Sequence, residues 1–96
     1  MIKEVFIKIR GRVQGIGFRR WAVKKAQEIG GLSGWVHNEA DGTVEIRMRG
    51  EEAAVDAMIL ACQDGSPFSR VDKVDFVVGR WSCFLPEVEE GVFRRI

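Results

Sequence analysis

From Val5 to Arg12, the apolar residues Val5, Ile7 and Ile9 alternate with Lys8, Arg10 and Arg12, the period-two pattern of a strand with one buried face. The spacing then lengthens. Phe18, Ala22, Ala26 and Ile29 recur at helical intervals with Lys24, Lys25, Gln27 and Glu28 between them, until Gly30 and Gly31 end the pattern. Leu32 to Asn38 reads as a second strand. Asp41-Gly42 supplies turn chemistry and returns the chain through Thr43 to Arg49, where Val44, Ile46 and Met48 alternate with Glu45, Arg47 and Arg49, so a hairpin is predicted. After Gly50, the acidic pair Glu51 and Glu52 suits a helix N-terminus, and Val55, Met58, Ile59 and Cys62 form an apolar stripe ended by Gly65. Val71 to Val78 predicts a fourth strand. Gly79 to Gly91 reads as an irregular excursion, and Val92 to Arg95 as a short fifth strand at an edge.

The order βαββαβ predicts an α+β fold, a ferredoxin-like split-βαβ sandwich with an antiparallel sheet and both helices on one face. A right-handed crossover makes the first two strands parallel, with the third between them. Their C-terminal ends then share one edge of the sheet. Asn38, at the end of the second strand, is thereby expected to meet the connection from Gly11 to Arg19.

That connection carries the chemistry. Glycines at 11, 15 and 17 allow positive φ and close backbone approach, so successive N–H groups can converge on one anion. The helix start that follows adds free N–H groups and partial positive charge, and Arg19 offers a planar fork that matches two phosphate oxygens. Two phosphate motifs are excluded: no lysine followed by Ser or Thr closes the loop as a Walker sequence requires, and Arg20 stands where a dinucleotide fingerprint starting at Gly15 needs glycine. By itself the turn also fits an ordinary tight connection with a solvated arginine.

At 96 residues the chain reads as one domain, 1–96, and 46% hydrophobic with 30% charged residues is a globular composition. No apolar run approaches the ~18 residues of a membrane span. The opening MIKEVFIKIRGR lacks the apolar core of a secretory signal, which makes the cytoplasm the expected location. A net charge of +1 argues against a nucleic-acid partner. Cys62 and Cys83 have no CxxC spacing; Cys62 reads as a small buried hydrophobe and Cys83 as a loop thiol, with a disulfide left open. A single histidine, His37, does not complete a metal set, so neither metal nor cofactor is expected.

The strings GRVQGIGFRR, GWVHNEADGTVEI and SPFSRVDKV, in that order, resemble the acylphosphatase family, whose members carry GRVQGVxFR, then GWVxNxxDGxVE, then a segment like PxxRVxxV. The resemblance runs from about Val5 to Val78 and resumes at Gly91 to Arg95. It implies hydrolysis of an acyl phosphate to a carboxylate and inorganic phosphate. Backbone N–H groups from Gln14, Gly15, Ile16, Gly17, Phe18 and Arg19 would hold the phosphoryl oxygens, Arg19 would stabilise their charge, and Asn38 would orient the attacking water. Such a substrate expels a weakly basic carboxylate, and a site without a nucleophile or carboxylate cluster suits it better than it suits phosphate monoesters or ATP. The expected partners are therefore a small acyl phosphate as substrate and inorganic phosphate as product and inhibitor, with the protein a monomer.

Departures from the family pattern are an extra glycine at Gly31, His37 where Arg or Lys is common, and the segment from Gly79 to Glu90, which does not align readily. Adjacent strand residues face opposite ways, so His37 reads as a bystander to Asn38. Trp21, Trp35 and Trp81 read as packing, Asp41 and Gly42 as turn residues, and Arg10, Arg12, Arg47 and Arg49 as a solvated sheet face. Two other classes compete. One is a non-catalytic phosphate- or acyl-phosphate-binding module, as in the N-terminal domain of hydrogenase-maturation carbamoyltransferases. The other is RNA binding, which shares the topology, but the third strand lacks the stacking aromatics of RNP1.

Overall fold

A computed structural model of the chain describes residues 1–79 and 91–96. The expected Trp81 and Cys83 features and the body of the 79–91 excursion lie outside them. Along the chain run β1 (Ile2–Arg12), α1 (Phe18–Ile29), β2 (Ser33–Asn38), β3 (Val44–Glu51), α2 (Glu52–Asp64), β4 (Arg70–Val78) and β5 (Phe93–Arg95). The sheet order is β4-β1-β3-β2-β5. β3 pairs antiparallel with both β1 and β2, and β4 pairs antiparallel with β1. This is the ferredoxin-like arrangement, with β1 and β2 parallel and β3 between them. β5 departs from an all-antiparallel sheet, because it runs parallel to β2, with Gly34 opposite Phe93 and Val36 opposite Arg95.

The alternation read along β1 and β3 is the core face. Val5, Ile7 and Ile9 with Val44, Ile46 and Met48 are buried against Phe18, Ala22 and Ala26 of α1 and Val55, Met58 and Cys62 of α2. Each large chain so buried contributes roughly 1.5–3 kcal/mol. β1 begins earlier than its alternation suggested, since Ile2 to Glu4 pair with Glu51 to Arg49, and β3 accordingly runs through Gly50. A side chain at Gly50 would press on the Gly31 carbonyl at 2.7 Å, so this glycine serves close packing and does not end the strand.

The opposite face of the sheet corrects one expectation. Arg47 is only 2% exposed and Trp35 3%. Arg47 stands across from Trp35 on β2 and from Phe6 on β1, so aromatic neighbours flank its aliphatic stem, and a run of alternating charges did not make a wholly solvated face. Cys62 is a free thiol within the core, and burial pushes it up to about 12. Among the described residues no helix is long and apolar enough to cross a membrane.

Candidate active site

The connection between β1 and α1 starts with an irregularity. The β1–β4 register shifts between Arg10 and Gly11, and a Cβ on Gly11, at φ 135°, would stand 2.0 Å from the Arg70 carbonyl oxygen. Only glycine lets the two strands close at that point. Further on, Gly15 at φ 74° and Gly17 at φ 82° place the backbone in the left-handed region with open space beside them. Their role is conformational, turning the loop so that N–H groups face one way.

Gly17 is also the N-cap of α1. No side chain caps this end, and the first turn contains no acidic residue. The first N–H groups and the positive end of the helix dipole are thus offered to whatever lies in front. Phe18 fixes the turn from behind: its ring is buried in the core and packs on Trp21 at 5.2 Å between centroids. Ile16 packs on the same core from the loop.

In front lies a cavity of about 200 Å³ lined by Val13, Gly15, Gly17, Phe18, Arg19, Arg20, Asn38 and Arg95. The topology therefore brings Asn38 to the loop, as the parallel relation of β1 and β2 requires. Asn38 Oδ1 is buried and has no hydrogen-bond partner among the described residues. An unpaired buried amide oxygen costs about 1–3 kcal/mol, and the residue that carries it is part of the cavity lining. Arg19 Nη1 donates to the Ile96 main-chain oxygen at 3.2 Å, and Arg19 also lines the cavity.

Gln14 has a different place. Its side-chain amide donates to the carbonyls of Glu39 at 2.7 Å and Thr43 at 2.9 Å, strapping the loop to the β2–β3 turn just beyond Asn38. Neither Gln14 nor Ile16 lines the cavity, whereas Gly15, Gly17, Phe18 and Arg19 of the expected cradle do. Arg95 and Arg20 were missed. Arg20 follows Arg19 in the motif and could have been suspected from that, but Arg95 arrives only through the parallel pairing of β5 with β2.

His37 is on the other face. Its Nδ1 lies 2.9 Å from Glu39 Oε1, its ring meets Trp35 edge-on, and it is paired across the ladder with Glu45. His37, Glu39 and Glu45 form a group whose polar atoms lie within 4.8 Å of one another, and none of the three lines the cavity. Among the described residues the cavity lining carries no carboxylate, imidazole or thiol. What it can do is bind an anion through N–H groups and guanidinium, and hold a neutral polar molecule on Asn38.

The acylphosphatase family model matches residues 5–80. An acylphosphatase from Rhodospirillum rubrum is 51% identical over 71 residues, which are 74% of this chain and 77% of that one. The crystal structure of acylphosphatase from Bacillus subtilis superimposes with a TM-score of 0.84 at 34% identity, covering 100% of this chain and 99% of that one. The crystal structure of full-length HypF in the phosphate- and nucleotide-bound form gives a TM-score of 0.83 at 28% identity, but the match takes in only 12% of that chain.

Proposed function

Because the chain belongs to the acylphosphatase family and hydrolyses acyl phosphates, we propose that the 200 Å³ cavity is where it does so, with Arg19 holding the phosphoryl group and Asn38 orienting the water. The observation that carries this division is the unpaired, buried Asn38 Oδ1 beside an uncapped helix start.

In this reading the phosphoryl oxygens lie against the N–H groups of the Gly15 to Arg19 turn and the Arg19 fork. Both are preorganised where negative charge collects in the transition state. A water accepted by Asn38 Oδ1 is held at the phosphorus without losing its proton beforehand, because an amide is no base. As the water oxygen bonds to phosphorus, the P–O bond to the acyl group breaks and a carboxylate leaves with the electron pair. The water's proton ends on phosphate or solvent. A carboxylate with a conjugate-acid pKa of about 4 needs no general acid, which fits a cavity lined without one. Gln14 acts through position: its two hydrogen bonds fix the loop against the strand end that presents Asn38.

The whole of residues 1–96 acts as a single monomeric cytoplasmic domain, and inorganic phosphate competes with substrate as product. Among the described residues the cavity lining holds no carboxylate, imidazole or thiol for a metal ion, so chelator should leave the rate unchanged. A fall in chelator that a divalent ion restores would overturn this part. A net charge of +1 gives little electrostatic attraction for nucleic acid. The alternative, a binding module like the corresponding part of a hydrogenase-maturation protein, is weaker, since the 51%-identical relative of comparable length is itself an acylphosphatase.

The test is Asn38→Ala, assayed with benzoyl phosphate. Turnover should fall about 10²-fold, the scale of lost orientation of one reactant, while inorganic phosphate still raises the melting temperature as in the parent. Loss of the phosphate-induced shift with turnover intact would make Asn38 a substrate anchor instead.

A further inference from the structure

His37, Glu39 and Glu45 lie away from the cavity, on the reverse of the strand end that carries Asn38. His37 and Glu39 are two residues apart and so share a face, and His37 stands directly opposite Glu45 in the β2–β3 ladder. Glu39 is one residue past β2, but its N–H donates to the Thr43 carbonyl at 2.9 Å, so the hairpin pairing reaches it. The register thus gathers an imidazole and two carboxylates, all three half-buried.

Their spacing is that of a donor set. The polar atoms lie within 4.8 Å of one another, and His37 Nδ1 is 2.9 Å from Glu39 Oε1. Ligand atoms bound about 2.0–2.2 Å from one zinc ion stand roughly 3–3.5 Å apart. The His37–Glu39 pair is already close to that separation, and a rotamer change at Glu45 closes the rest. Charge favours a cation too. Burial first, and then the neighbouring Glu39, push Glu45 up to about 6. Lys8, which faces Glu45 from β1, is bonded to Asp41 at 3.2 Å. A divalent ion between the two carboxylates removes their repulsion. An arginine or lysine at position 37 could only neutralise them, whereas an imidazole can also bind the ion, and a mixed nitrogen and oxygen set favours a first-row transition ion over magnesium or calcium.

We infer that His37, Glu39 and Glu45 bind one divalent transition ion such as zinc, with water completing its shell, and that the ion clamps the β2–β3 hairpin from the face opposite Asn38. Any proton held by the imidazole or by Glu45 passes to solvent as the ion binds. The ion stands outside the phosphoryl cavity and takes no part in hydrolysis; its effect is on stability.

Zinc itself is the probe. The whole chain, stripped of metal with chelator and dialysed into phosphate-free buffer near pH 7.5, should melt at least about 4 °C higher with zinc chloride at about 100 µM, and should not with magnesium chloride at about 1 mM. His37 is the chain's only histidine, so its ring proton resonances report occupancy directly, and they should move with zinc until one equivalent is bound. His37→Gln and Glu45→Gln should each abolish the zinc-dependent rise while still hydrolysing benzoyl phosphate, which shows them folded. A merely structural role for these side chains would shift the metal-free melting temperature and leave the zinc increment in place. Cys83→Ser should retain the increment. No rise in the parent, an equal rise with magnesium, a rise that survives His37→Gln, or one lost in Cys83→Ser would overturn the inference.

Discussion

His37 and Asn38 are consecutive residues of one strand, and their surroundings could hardly differ more. On the His37 side the polar groups are paired among themselves: His37 with Glu39 at 2.9 Å, Lys8 with Asp41 at 3.2 Å, and Asp41 with the Thr43 hydroxyl at 2.6 Å and its N–H at 3.0 Å. Those bonds from Thr43, with Lys8 beside them, hold the Asp41 carboxyl well below the usual carboxylate range. On the Asn38 side, among the described residues, a buried amide oxygen is left unpaired, a helix end has no side-chain cap, and Arg20 and Arg95 have no counter-charge. The paired face stiffens the β2–β3 hairpin, and the unpaired face is what that stiffness presents. A histidine and two carboxylates look more catalytic than a lone asparagine, yet none of the three lines the cavity.

The comparison breaks most readily at Arg19. Arg19→Lys keeps the charge but loses the planar fork, and kcat/KM for benzoyl phosphate should fall by about 10²-fold or more. His37→Gln, one position from Asn38 but on the paired face, should change it by less than about twofold and leave the rate flat between about pH 5 and 7. Near-normal turnover in a folded Arg19→Lys protein would remove Arg19 from the phosphate site. A steep pH limb abolished by His37→Gln would move the chemistry to the other face.

Gln14 joins the two regions, and its loss should be smaller and of another kind. Gln14→Ala leaves the Glu39 and Thr43 carbonyls without the amide that binds both, a destabilisation of about 1–3 kcal/mol by denaturant melting. Turnover should drop with it because the loop is no longer tied to the strand that carries Asn38. Gln14→Glu should not rescue either property, since a carboxylate cannot donate to two carbonyls. A stability equal to the parent's, with phosphate binding lost, would mean that Gln14 is a ligand and not a strap.

Much of this was legible in the chain. Period-two and helical spacings placed six of the elements to within a few residues, because each buries a single face and the pattern records that face. The meeting of Asn38 with the Gly15 to Arg19 turn followed from topology alone, since a right-handed crossover admits one arrangement of β1 and β2. What escaped depends on pairing between distant strands. Arg95 reaches the cavity only because β5 lies parallel to β2, and Arg47 is buried only because Phe6 and Trp35 are its neighbours on either side. Neither a three-residue strand nor a charged residue in an alternating run carries a local signal of that kind. The strap made by the Gln14 side chain escaped for the same reason: the motif shows its position in the loop and not the carbonyls across from it.

The paired face yields the finest test. Glu45 is raised to about 6 from an ordinary 4.5 by partial burial first, and then by its hydrogen bond to Glu39 and the charge of that neighbour, with Lys8 and His37 opposing the rise. A carboxyl whose folded value is raised favours the native state while protonated. Its contribution is therefore complete below about pH 4.5 and is lost as pH climbs through 6. Glu45→Gln keeps a neutral hydrogen-bonding group at every pH, so its melting temperature relative to the parent should be near zero at low pH and positive above pH 7. Glu45 is half-buried, and screening by the solvent that still reaches it reduces the gain to about 0.5–1 kcal/mol. Repeating the comparison in a His37→Gln background separates the carboxylate pair from the ring that faces it. Turnover should be unaltered throughout. A Glu45→Gln protein less stable than the parent at pH 7.5 would show that the charged carboxylate is needed by Lys8 or His37, and that this face is held together by ion pairs and not by a shared proton.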